Sequence, residues 1–316
     1  MITLTMLGTS ALLPIPGRAL ASVFLECGGH GILFDCGEGT QSAARAAGVS
    51  LMRMDLLALT HYHGDHIFGI PGLLQTMQSM NRTKPLILTG PAGLEAQMRP
   101  ILQLAGGLSF DLSLMPMPEA GRFLSESLEG ARLTAFPTEH RVPSQGYCFE
   151  LERKGRFQPD KADALGIPRK LWGQLQKGET VVCEGQVFSP AQVMGEKRKG
   201  LRVVFSGDTT CCKSLTEAAK GSDLLILEGT YGDSSDAQLA AERGHMTFAM
   251  AAETAKAAGA RKLWLTHFSQ RLEEPDSYLP FAAEIFPETV VCKDGMQMTL
   301  SFDPDTEKSE HGCTKE

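Results

Sequence analysis

The sequence predicts an α/β fold built as one principal domain with an inserted arm, and three observations predict it. Short apolar runs bounded by turn residues recur along the chain, helical patterns lie between them, and one stretch, about Lys154 to Lys199, breaks the rhythm. The first residues, Met1-Ile2-Thr3-Leu4-Thr5-Met6-Leu7-Gly8, read as a strand. They have neither the basic start nor the long apolar region of a signal peptide, so export is not expected. Further buried strands are expected at Ile32–Phe34, Leu56–Leu59, Leu86–Leu88, Leu133–Phe136, Val203–Phe205, Leu224–Leu227 and Leu263–Leu265.

Helices are expected at Gln41–Ala47, Gly72–Met80 and Phe248–Ala258. The last is alanine-rich and stops at Gly259, a residue suited to closing a helix. The stretch from Lys154 to Lys199 holds Pro159, Pro168 and Pro190 with few strand signals, and reads as an arm inserted into the domain. Residues 303–316 are polar and charged with almost no apolar side chains, and are expected to be a disordered tail.

The chain has 316 residues, 42% apolar and 21% charged, ordinary values for a globular protein with a sizeable core. No run reaches the roughly 18 apolar residues of a membrane span. Eight cysteines occur without any Cys-x-x-Cys spacing, which points to reduced thiols in a cytoplasm, most of them acting as small apolar residues. Cys211 and Cys212 follow a candidate ligand closely, but nothing in the sequence gives them a role. The net charge of −7 looks unfavourable for a polyanionic partner, yet its distribution is uneven. Residues 152–202 carry 11 Lys or Arg against 6 Asp or Glu, a net of +5, which leaves −12 on the remainder. A solvated basic surface would look the same by charge alone.

The chemistry concentrates in His61-Tyr62-His63-Gly64-Asp65-His66, where three of the chain's eight histidines and a carboxylate fall within six residues after an apolar strand. Imidazole suits zinc, and a nearby carboxylate can serve a second ion or act as a base. Alternation along extended chain puts His61 and His63 on one side, and a bend at Gly64 lets Asp65 and His66 face a second position. His140, Asp208 and His267 each follow an apparent strand, where α/β sheets gather their sites. Each alone would pass for a turn or cap residue. With the six-residue motif they make seven ligands, enough for two zinc ions if Asp208 bridges them. Leu57-Ala58-Leu59-Thr60-His61-Tyr62 is echoed by Leu263-Trp264-Leu265-Thr266-His267-Phe268, which suggests two similar halves delivering histidines to one place. His30, in Gly28-Gly29-His30-Gly31, and His311, in the tail, are expected at the surface.

The His-x-His-x-Asp-His run after an apolar strand resembles the metallo-β-lactamase superfamily, which implies a four-layer αββα sandwich. Phe34-Asp35-Cys36-Gly37-Glu38-Gly39-Thr40-Gln41 and the run from His61 through Ile67-Phe68-Gly69-Ile70-Pro71-Gly72-Leu73 resemble ribonuclease Z, the tRNA 3′-processing endonuclease. So do Tyr147, Gly207-Asp208-Thr209, Glu228-Gly229-Thr230-Tyr231, His245-Met246-Thr247 and Leu265-Thr266-His267-Phe268-Ser269, in order and spacing, from Leu7 to about Leu300.

The resemblance implies a substrate and a set of roles. The substrate is precursor tRNA, cut to leave a tRNA 3′-hydroxyl and a trailer 5′-phosphate. His61, His63 and His140 would hold one zinc and Asp65, His66 and His267 the other, with Asp208 between them. Asp65 would also accept a proton from the attacking water, and His245, oriented by Glu228, would protonate the leaving oxygen. An arm with a Gly-x-Pro turn, here Gly166-Ile167-Pro168, would grip the tRNA elbow through phosphates, in keeping with the basic excess there. A homodimer in the cytoplasm, one subunit's arm serving the other's site, is also implied.

Three departures from the commoner family pattern stand out: Leu227 where many members have histidine, the loop Pro14-Ile15-Pro16-Gly17-Arg18, and Gln270 where proline is frequent. The rival readings are a small-molecule phosphodiesterase or lactonase-like hydrolase of the same fold, which needs no basic arm, and a non-catalytic RNA- or metal-binding relative, which would be expected to have lost ligands.

Overall fold

The computed structural model describes residues 1–117, 122–123 and 130–303. Its strands are β1 (Ile2–Gly8), β2 (Ser22–Cys27), β3 (His30–Phe34), β4 (Met54–Ala58), β5 (Leu86–Thr89), β6 (Leu112–Leu114), β7 (Arg122–Phe123), β8 (Ala131–Pro137), β9 (Gln145–Arg153), β10 (Val181–Cys183), β11 (Gln186–Phe188), β12 (Arg198–Phe205), β13 (Leu224–Glu228), β14 (Leu263–Thr266), β15 (Thr289–Val291) and β16 (Gln297–Leu300). Two seven-stranded sheets form, in the orders β16-β1-β2-β3-β4-β5-β6 and β15-β14-β13-β12-β9-β8-β7.

The period-2 alternation of a strand decides the layers. Leu33 and Leu57 face outward into a core with Leu73, Leu74 and Met77 of the helix Ile70–Ser79 and Met98 of the helix Leu94–Ala105. Phe34, their neighbour on the opposite face, meets Tyr147 and Phe205 of the second sheet at ring-centroid distances of 5.6 and 5.4 Å. The Tyr147 hydroxyl donates to the Leu59 carbonyl at 2.6 Å, tying the sheets together where β4 ends. On the second sheet Val204, Leu225, Leu227 and Leu265 turn outward onto the helix Phe248–Ala258. Helix, sheet, sheet and helix thus make the four expected layers. Each fully buried Leu or Phe in them contributes about 1.5–3 kcal/mol.

Every strand and helix anticipated above is present within a few residues, and the helix Phe248–Ala258 closes at Gly259 in the left-handed conformation (φ 62°). One expectation needs correction. His30 is not a free surface residue: it begins β3, and its Nδ1 lies 2.8 Å from Asp55 with the side chain 17% exposed. The inserted segment, expected at about Lys154 to Lys199, has secondary structure of its own. Leu151–Leu201 forms a compact unit of its own, with helices Pro159–Ala164 and Arg169–Lys177 and a hairpin of β10 and β11. Ala162, Ile167, Leu175, Val181, Phe188 and Val193 make its private core. Gly166 has a φ of 68°, and Pro168 caps the second helix, so Gly166-Ile167-Pro168 is the turn between the two helices. The expected tail, His311 and Cys313 lie outside the described residues beyond Asp303, and the seven described cysteines are free thiols.

Candidate active site

The site forms where strands of both sheets end. Asp35 follows β3, the run His61–His66 follows β4, His140 follows β8, Asp208 follows β12, Glu228 ends β13, and His267 follows β14. The loop after β12 must pass close to the β4 loop: a Cβ on Gly207 would stand 2.5 Å from Thr60 Cβ, and its φ is 62°, so only glycine fits. Asp35 and His267 hold left-handed backbone (φ 56° and 58°), a strain of the kind that clusters at functional sites.

All seven sequence-predicted ligands converge. His61, His63, His140 and Asp208 form one group and Asp65, His66 and His267 another, the ligand atoms within each lying within 4.8 Å of one another. Asp208 faces both: Oδ2 is 3.7 Å from His61 Nε2, and Oδ1 is 3.4 Å from His66 Nε2 and 3.2 Å from His267 Nε2. The two echoed histidines, His61 and His267, therefore meet at one carboxylate.

A second ring of acceptors decides which nitrogen of each imidazole faces inward. His66 Nδ1 donates to Asp35 Oδ2 at 2.8 Å, His61 Nδ1 to Thr60 Oγ1 at 3.0 Å, His267 Nδ1 to Thr230 Oγ1 at 3.0 Å, and His140 Nδ1 to the Gly244 carbonyl at 2.8 Å. The hydroxyls can accept because their own protons go elsewhere, Thr60 to Asp35 and Thr230 to Glu228. Each of these four rings is left with its Nε2 lone pair aimed at the centre. This is the outer-shell arrangement that orients histidine toward a metal.

The donor set fits divalent cations. Asp208 Oδ1 is buried with no hydrogen-bond partner among the described residues, although two imidazole nitrogens stand close by. A buried carboxylate oxygen left in this way costs free energy unless a cation meets it. Burial lowers the His61, His63 and His140 imidazoles, favouring the neutral form that ligates. Burial opposes the charge on Asp208 and Asp65, but the facing imidazoles outweigh it and hold both carboxyls well below the usual range.

Beside this cluster stands His245. Its Nδ1 is 2.9 Å from Glu228 Oε1, and its ring centroid is 5.0 Å from that of His140. Burial pulls its pKa down, but the Glu228 carboxylate outweighs this and carries it up to about 9. Glu228 is itself fixed: Oε1 also accepts from the Thr209 amide at 2.7 Å, and Oε2 accepts from Thr230 Oγ1 and the Met246 amide. Asp208, His245 and His267 also lie close enough to form a third ligand group. The Leu227 side chain packs in the outer core with Phe248 and Leu265 and cannot reach the site.

Sequence reasoning gave no role to Asp35, Thr60, Thr230, the Gly244 carbonyl or the Leu12 amide, which donates to Asp65 Oδ2 at 2.8 Å. Asp35 carried a usable signal, since it follows a buried strand as His140 and Asp208 do. The two backbone groups carried none. Gly166 and Pro168 belong to the Leu151–Leu201 unit and join none of the ligand groups.

Comparison with known proteins agrees with this geometry. Residues 2–161 match a family model described as anti-Pycsar protein Apyc1, and residues 191–268 match a beta-lactamase superfamily domain. Ribonuclease Z of Agathobacter rectalis is 41% identical over 305 residues, covering 96% of this chain and 100% of that protein. Ribonuclease Z of Clostridioides difficile is 37% identical over 304 residues, again 96% of this chain and 100% of that one. The crystal structure of human tRNase Z, short form, superposes with a TM-score of 0.67 at 27% identity, covering 95% of this chain and 100% of that one. The metallo-β-lactamase fold protein YhfI of Bacillus subtilis, at 21% identity with a TM-score of 0.65, shares the fold. The full-length relatives extend across both family-model matches and the segment between them. The chain belongs to the ribonuclease Z family and has the metallo-β-lactamase fold, which implies a divalent metal.

Proposed function

We propose that this chain is a di-zinc endoribonuclease that removes the 3′ trailer from precursor tRNA, leaving a tRNA 3′-hydroxyl and a trailer 5′-phosphate. The observation that carries the reading is the pair of ligand groups sharing Asp208, one oxygen toward each, with the His245–Glu228 pair alongside. His61, His63 and His140 would hold one zinc, Asp65, His66 and His267 the other, and Asp208 both. Bound there, the cations lower the pKa of water toward neutrality and offset charge on the phosphoryl oxygens.

The chain's own groups do the rest. Asp65, held by the Leu12 amide, accepts the proton of the attacking water. As the bond from phosphorus to the ribose 3′-oxygen breaks, His245 donates a proton to that oxygen from Nε2, its Nδ1 engaged by Glu228. A cleft of about 640 Å³ lined by His140, Arg141, Ser144 and Gln145 opens at His140, where the substrate strand would approach.

No described helix is long and apolar enough to cross a membrane. A cytoplasmic location is part of the same reading, in keeping with a tRNA-processing role. A homodimer, with one subunit's arm serving its partner's site, completes the reading. A small-molecule phosphodiesterase or lactonase-like activity is not favoured, because two relatives 41% and 37% identical over 96% of this chain are ribonuclease Z.

The test is incubation with a precursor tRNA that lacks an encoded CCA, mapping the cut with and without a chelator. Cleavage at the 3′ end that stops when metal is removed is the expected result. An intact precursor, or cleavage indifferent to chelation, overturns the proposal.

The basic segment makes a separate prediction. We expect excision of residues 154–199, most of a unit that packs its own core, to lower kcat/KM on precursor tRNA by at least about 100-fold through lost phosphate contacts. Hydrolysis of a small phosphodiester should be spared. Equal losses on both substrates would refute an arm that serves only to grip RNA.

A further inference from the structure

The rim of the site carries apolar side chains that the fold leaves in water. Phe68 is 66% exposed, the most exposed phenylalanine among the described residues, and Leu12 is also 66% exposed. Both are anchored to the metal-binding segment. Phe68 closes the short helix Gly64–Ile67 that carries Asp65 and His66. Its ring lies on the backbone at Gly64, where a Cβ would stand only 2.3 Å from Phe68 Cε2. A larger residue at position 64 would push the ring away. Leu12 takes a left-handed backbone (φ 61°), costly for a leucine, and its amide holds Asp65. Both side chains lie mostly in solvent, so burial does not explain them.

An aromatic ring supported along one edge and open to solvent, three residues from Asp65 and two from His66, suits a flat apolar partner that arrives with the substrate. A nucleobase is such a partner, and stacking on an aromatic side chain works for any base because every base has a π-face. We propose that Phe68 is the stacking platform for the nucleobase adjoining the scissile phosphate, so that it binds the substrate nucleotide and places its phosphate over the ligand cluster. This rests on the reading that the substrate is RNA. It explains how a cut site could be held in register without a base-specific hydrogen bond.

The experiment compares Phe68→Ala, Phe68→Leu and Phe68→Trp on an intact precursor tRNA and on two precursors, one abasic at the nucleotide 5′ of the cut and one abasic 3′ of it. On the intact substrate, Ala and Leu should each lower kcat/KM about 5- to 150-fold, while Trp should stay near the parent. On one of the abasic substrates the parent and Phe68→Ala should become equal, since the base that stacks is gone. Unfolding temperatures should be unchanged, because the ring is exposed.

A Phe68→Leu protein as fast as the parent would overturn the proposal, because it would show that apolar bulk suffices. A Phe68→Ala loss that persists on both abasic substrates would overturn it as well, as would a change in oligomeric state, the mark of a contact with a second copy. If the parent protein leaves the intact precursor uncut, the RNA reading itself has failed.

Discussion

Asp208→Ala is expected to remove both cations at once and to abolish cleavage. Asp208 directs one carboxylate oxygen at each ligand group, with Oδ2 3.7 Å from His61 Nε2 and Oδ1 3.2 Å from His267 Nε2. Loss of an outer-shell partner that merely orients a ligand already costs about 10- to 100-fold in metal affinity. A shared inner carboxylate should therefore cost more than about 100-fold at both positions. Metal analysis of the purified variant should fall from the proposed two ions per chain toward none, with circular dichroism like the parent's. A variant that drops one ion and keeps the other at parental affinity would show that Asp208 serves only one position.

His245→Ala is expected to slow precursor cleavage by about 10²- to 10⁴-fold, the usual contribution of a positioned general acid, while both ions stay bound. On an aryl phosphodiester, whose leaving group departs without a proton, the same change should cost little. That contrast separates proton donation from ligation, which the proximity of Asp208, His245 and His267 makes a real competitor. Loss of metal with His245 would decide for ligation. Glu228→Gln should slow cleavage similarly but also destabilise the protein by about 1–3 kcal/mol. The Gln amide would have to turn a donor toward one of the donors now on Glu228, namely the Thr209 and Met246 amides, Thr230 Oγ1 and His245 Nδ1. Thermal unfolding of the two variants checks the difference.

The candidate site was readable in unequal parts. His61, His63, Asp65 and His66 were legible because their ligand geometry is local: alternation and one bend bring four side chains to two positions. His140, Asp208 and His267 were legible through a weaker rule, position just past a strand. That rule would also have found Asp35, which follows Phe34 in the same way. The echo of Thr60-His61 in Thr266-His267 misleads beyond the histidines. Thr60 Oγ1 orients His61, but Thr266 Oγ1 points to Met6 Sδ, and the hydroxyl behind His267 belongs to Thr230. The arm was legible as a change of composition but not as a structure. Its hairpin pairs only Val181–Cys183 with Gln186–Phe188, too short to show as a period in the sequence.

From its amino acids alone this chain declares its strands and helices, its insert and its seven candidate ligands, because apolar runs, helix ends and clustered histidines are properties of neighbours along the chain. Only the folded molecule decides that Asp208 stands between two groups, that four of the imidazoles present a chosen nitrogen, and that Phe68, at the end of the helix carrying Asp65, stays in water. Those outcomes depend on contacts between residues up to two hundred positions apart, such as His66 with His267, and on backbone carbonyls and amides that every residue type carries alike. No residue name encodes them until the two sheets close on each other.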